Sequence, residues 1–189
     1  MKTIEYFMAE SLKRMLETKT LDHITVTDIA KDCGITRQAF YYHFSDIYSL
    51  LEWIYLQEAD MLKSHRNIST WQEGYHLIMD WTEDNKNLVI NTYRSINRDY
   101  IETFTYQALY PMLCDVVEEL AKGKDVSKES REFIARYYSL SLIAITLDWV
   151  KNGMKESKQH LENNVEIVMK DSIIHALDRY RLSHQNQLQ

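Results

Sequence analysis

The stretch ITVTDIAKDCGITRQAFYYHF, Ile24 to Phe44, constrains this chain more than any other. Two short apolar-periodic runs meet at a glycine, and the second starts on a polar residue and closes in an aromatic cluster. A helix-turn-helix needs such a plan. Its first helix carries a small residue where the second crosses, its turn takes positive φ, an apolar residue is buried just beyond, and the second helix has a polar outer face. Thr27 is placed to cap the first helix, and Ile29 and Ala30 give its buried side. Gly34 supplies the turn and Ile35 the apolar plug. Thr36 caps the second helix, Arg37 to His43, with Phe40 and Phe44 pointing inward at i and i+4.

The groups left outward suit nucleic acid. Arg37 can bond a guanine edge in bidentate fashion, and Gln38 an adenine edge. Tyr41, Tyr42 and His43 can donate to phosphates or touch a thymine methyl. Thr27 and Thr36 stand at helix N-termini, where hydroxyls and backbone amides bind phosphate together. Tyr41 and Tyr42 are adjacent on a helix, so at least one of them is exposed. Residues 1–46 carry six Lys and Arg against seven Asp and Glu, and the whole chain has a net charge of −6. Counterion release therefore contributes little, and specific contacts must carry more of the affinity.

The rest of the chain reads as all-α. Its 189 residues include one proline and four glycines, which suits long helices better than sheets with many tight turns. Hydrophobic periodicity predicts about nine helices. They are residues 4–18, the two of the motif, 46–63, 71–82, 88–96, 100–121, 127–151 and 157–180. Thr70 with Glu73 forms a capping box for the fifth, and Ser127 caps the eighth. Pro111 predicts a kink or split near Tyr110. The run YYSLSLIAITLDWV is apolar on nearly every face, so its helix is buried from two sides. The expected division is a three-helix DNA-binding domain over residues 1–46 and a longer helical domain over 47–189.

Other classes find little support. No apolar run approaches the ~20 residues of a membrane span. The first residues alternate charged and apolar, unlike a signal peptide. Cys33 and Cys114 have no metal-binding spacing and read as reduced thiols of a cytoplasmic protein. Glu73 and His76 match the Glu-x-x-His of di-iron bundles, but such sites need that motif twice. No metal, cofactor or catalytic set is expected, and a helical metalloenzyme stays only as a distant alternative.

The segment ITVTDIAKDCGITRQAFYYHFSDIYSLL resembles the DNA-binding signature of TetR-type transcriptional regulators. The shared features are a Thr before the first helix, Ile-Ala within it, Gly-Ile-Thr at the turn and aromatics closing the second helix. Ile47 departs from the Lys frequent in the family, and Cys33 from its Ala. After the apolar helix, LDWVKNGMKES resembles the C-terminal domain of TetR-type regulators that include activators of dihydroxyacetone kinase genes.

The resemblance implies a homodimer on a palindromic double-stranded operator, with recognition helices about 34 Å apart. It implies a four-helix dimer interface drawn from Leu140, Ile143, Leu147, Trp149, Val165, Met169 and Ile173. It also implies an effector pocket among the middle helices, for which Trp81, Tyr93, Phe104, Tyr106 and Tyr110 are candidates. The expected function is a non-enzymatic, sequence-specific repressor released by a small molecule. The alternatives are an activator working with a protein partner, or an interaction module without DNA binding.

Overall fold

Each regular element among the described residues is helical. The computed structural model describes residues 3–64, 70–95 and 98–187, and of residues 62–64, 98–100, 104 and 182–187 the backbone alone. The order is α1 (Ile4–Leu16), a 3-10 turn (Leu21–His23), α2 (Val26–Asp32), α3 (Arg37–His43), α4 (Ile47–Ser64), α5 (Trp71–Asp84), α6 (Lys86–Ser95), α7 (Arg98–Leu120), α8 (Lys128–Lys151), α9 (Lys158–Met169) and α10 (Ser172–Gln187). The all-α expectation holds.

The chain divides into two compact units. The first holds α1 to α4, α6 and the start of α7; the second holds most of α5, the rest of α7 and α8 to α10. In the first unit, Met8, Leu12 and Leu16 recur at four-residue steps on α1 and are fully buried. Phe40, Leu50 and Leu51 join that core. Each such side chain contributes about 1.5–3 kcal/mol on burial. Polar ties fix the small helices. Ser11 Oγ donates to Asp32 at 2.6 Å and Arg14 Nη2 at 2.5 Å, joining α1 to α2. Lys13 meets Glu58 of α4 at 2.8 Å. From α6, Asn91 donates to the Leu16 carbonyl at 2.7 Å and Ser95 Oγ accepts from the Leu21 amide at 2.7 Å. These bonds satisfy backbone groups where α1 ends and the 3-10 turn begins.

In the second unit, α5 meets α7 at Gly74, where the Met112 side chain occupies the space a Cβ would take, so a larger residue there requires Met112 to move. Tyr75 and Thr146 join α5 to α8 through their hydroxyls at 3.2 Å. Burial pushes the Tyr75 hydroxyl up to about 12. His76 of α5 lies 2.8 Å from the buried Glu162 of α9, and Lys158 pairs with Asp80. Thr70 and Glu73 form the expected capping box.

Two expectations about breaks need correction. First, of the kink or split expected near Tyr110, the split is absent: α7 is one continuous helix through Pro111. Pro111 is exposed, as is Gln107, whose carbonyl loses its partner, so water can serve it; Leu109 and Leu113 on the other side stay buried. Second, the single last helix is two. Asp171 adopts φ +57, a conformation Asp tolerates better than most residues, and the chain turns between α9 and α10 there. Met169 and Ile173 remain buried on either side of that turn. By length and composition alone α8 is apolar enough to cross a membrane, but half of the qualifying window is buried within the protein.

Candidate nucleic-acid interface

The helix-turn-helix is built by its caps. Thr25, not Thr27, caps α2. Its Oγ1 accepts from the Asp28 amide at 3.2 Å, while Asp28 accepts from the Thr25 amide at 2.9 Å. The sequence TVTD offers two threonines, and only Thr25 stands three residues before an acid that closes the box reciprocally. Thr27 lies within the first turn, exposed. At the other end Gly34 takes φ +66. Its amide bonds the Lys31 carbonyl, and the Ile35 amide bonds that of Ala30 at 2.9 Å. This is a Schellman closure, which an L side chain at Gly34 would strain. Ala30 and Ile29 are buried as the motif requires.

Thr36 caps α3 as expected, accepting from the Ala39 amide at 3.1 Å. Phe40 and Phe44 turn inward and their rings meet at a tilt of 48°, 5.9 Å between centroids. The opposite face presents Thr36, Arg37 and Gln38, all exposed. Tyr41 is 48% and Tyr42 86% exposed, so both face outward. Arg37 lies over the Tyr41 ring one turn on, 5.9 Å from its centroid, and its Nη2 reaches the Tyr41 hydroxyl at 3.5 Å. Thus Thr36, Arg37, Gln38, Tyr41 and Tyr42 share one surface. His43 does not join it freely, because its Nδ1 is 2.7 Å from Glu5 of α1.

The surroundings are mixed in charge. Hydrogen bonds from the Thr25 hydroxyl and amide hold the Asp28 carboxyl below its ordinary range. Those from Ser11 and Arg14 do the same for Asp32. Burial pushes the Cys33 thiol up, so it is not an activated thiolate. Sequence reasoning missed Thr25 as the cap of α2. Tyr48 is exposed on the first turn of α4, where Asp46 accepts from the Ser49 amide at 2.8 Å as a cap.

The other candidates scatter. Trp81, Tyr106 and Tyr110 lie in the second unit and Tyr93 in the first. The Phe104 side chain lies outside the described residues. Tyr106 and Tyr110 stack at 4.8 Å and line a cleft of about 630 Å³ with Phe133, Arg136 and Tyr180. A hydrogen bond with Cys114, helped by burial, pushes the Tyr110 hydroxyl up to about 12. A second cleft, about 690 Å³, is lined by Trp71, Leu120, Glu166, Ile167, Asp171 and Ile174, among others. Of the candidate interface residues, only Leu140 is exposed, at 51%. Ile143, Leu147, Trp149, Val165, Met169 and Ile173 are 2–6% exposed inside the single chain. Their surface is already spent within the protomer.

Residues 11–54 match the family described as bacterial regulatory proteins, tetR family. Residues 69–171 match the transcriptional regulator C-terminal region. The chain is similar to the HTH-type dhaKLM operon transcriptional activator DhaS of Lactococcus lactis, 25% identical over 149 residues, or 77% of this chain and 79% of the relative. Among solved structures it is similar to the dihydroxyacetone kinase operon activator DhaS, with a TM-score of 0.70 and 23% identity over 90% of this chain and 96% of that one. The TetR family repressor AlkX from Dietzia sp. shares the fold at a TM-score of 0.55 and 15% identity, over 95% and 97% of the two chains.

Proposed function

Because this chain belongs to the TetR family of DNA-binding transcriptional regulators, we propose that it works as a homodimer on a palindromic operator, one α3 in each half-site. Residues 1–46 bind DNA; residues 47–189 sense and dimerise. The observation that carries the reading is the single outward face of Thr36, Arg37, Gln38, Tyr41 and Tyr42 on a capped, anchored helix. Contact with the genome places the working protein in the cytoplasm.

The dimer face is the exposed stripe of α8 rather than its buried one. Phe133, Tyr137, Leu140 and Ala144 follow at steps of four, three and four residues, all exposed. Covering them would remove a row of apolar groups from water. Leu140 is retained from the expected set.

Activation is the favoured sign, since the relative from Lactococcus lactis is named an operon activator. Release of a repressor by a small molecule is the second reading, favoured by the aromatic cleft of Tyr106 and Tyr110. In either case an effector shifts operator affinity only by its differential binding to two states of the dimer. Footprinting on the chain's own promoter tests the core of this. Two protected half-sites one helical turn apart support it, and one isolated half-site contradicts the dimer. In vitro transcription from the same fragment decides the sign.

A further inference from the structure

The recognition helix is held from behind at its C-terminal end. His43 is the last residue of α3, and its Nδ1 lies 2.7 Å from Glu5 Oε1. Both side chains are mostly covered, 21% and 28% exposed. Glu5 sits in the first turn of α1, on the positive end of a 13-residue helix. Its own amide, then the Thr3 hydroxyl and the facing His43, hold the carboxyl below its ordinary range. The anion is thus fixed by α1 before it meets α3. On the other side the His43 ring packs edge-on against Tyr42, at 5.1 Å between centroids and 81° between planes. Tyr42 is the most exposed aromatic of the DNA face.

We propose that Glu5 is a positioning residue for operator recognition: it holds His43, and through the His43 ring it fixes Tyr42 for its contact with DNA. A tyrosine 86% exposed has few neighbours to fix its rotamer. Side-chain entropy lost on binding is smaller when the ring is already held. The Nδ1–H of His43 donates to the carboxylate, which sets the ring plane against which Tyr42 rests. His43 on this view is a buttress and Glu5 its anchor. The inference rests on the reading that the outward face of α3 meets DNA.

The test is a double-mutant cycle on the full-length protein, read by fluorescence anisotropy on its footprinted operator. Glu5→Ala should weaken operator binding about tenfold, the scale of one charge-assisted hydrogen bond. In a Tyr42→Ala background the same change should cost less than about twofold, because the residue it serves is gone. Glu5→Gln keeps an acceptor for His43 and should recover most of the affinity. Thermal melts of each variant separate folding from recognition, and Glu5→Gln decides the matter if Glu5→Ala is unstable. Normal binding by Glu5→Ala overturns the proposal, as does an equal loss in both backgrounds or no recovery with Glu5→Gln. If Tyr42→Ala itself binds like wild type, the recognition face is wrong and the proposal falls with it. If Tyr42→Ala is weak and Glu5→Ala is not, only the proposal falls.

Discussion

At the scale of single residues, the outward face of α3 divides by chemistry. Arg37 is exposed and loosely stacked on Tyr41, ready to reach a base edge. Arg37→Ala should cost about 1–3 kcal/mol of operator affinity and relax base preference at one position of each half-site, with the dimer intact. Competition titrations with operators altered one base at a time measure both effects. Uniform weakening across all sequences would make Arg37 a phosphate contact instead. Gly34 acts through the backbone. Nothing lies within 4 Å of a Cβ placed there, so Gly34→Ala meets no clash. The cost comes from φ +66 alone and should be about 1–2 kcal/mol of stability by urea unfolding. Gly34 was legible in the sequence because residue type and turn geometry determine each other locally. The role of Thr27 was not, since two threonines precede α2 and only reciprocal bonding with Asp28 selects Thr25.

At the scale of elements, caps and ties carry the motif. Thr36→Ala removes the acceptor for the Ala39 amide and should cost about 1 kcal/mol, visible as a lower Tm. The α1–α2 tie is acid-sensitive. Ser11 and Arg14 hold the Asp32 carboxyl below its unfolded value of 3.8. A depressed folded value gives stability that is present above pH 3.8 and lost as pH falls through the folded value. Urea midpoints measured from pH 6 to pH 2.5 should therefore drop more steeply in wild type than in Asp32→Asn. Equal slopes would show that the tie does not contribute. Helix periodicity located nearly all the elements, because each buries one stripe at 3.6-residue spacing. It failed at Asp171, and at Pro111 the split it allowed for did not occur. Exposure of Pro111 and Gln107 made the missing bond tolerable, and Asp171 broke a stripe that stays buried on both sides. Both depend on tertiary surroundings that a local pattern does not contain.

At the scale of the whole molecule, the two faces of α8 differ in burial. The sequence showed an apolar helix but not which stripe faced its own core. Six candidate interface residues proved to be that core, while Phe133, Tyr137 and Leu140 stay open. Leu140→Glu should give monomers by sedimentation with a nearly unchanged Tm. Leu147→Ala should instead destabilise the fold by about 2–5 kcal/mol. If Leu140→Glu leaves a stable dimer, the interface lies elsewhere. The aromatic candidates for an effector site came from the family resemblance and not from a local pattern; of them, Tyr106 and Tyr110 stack and line a cleft.

The most direct measurement is selection of bound sequences from a random DNA pool by the purified full-length protein at physiological salt. The account predicts enrichment of one palindrome whose half-sites are about 10 base pairs apart, centre to centre. It predicts loss of that enrichment with Arg37→Ala and Tyr42→Ala together. Enrichment of a single asymmetric site would contradict the dimeric arrangement, and enrichment unchanged by both substitutions would contradict the recognition face.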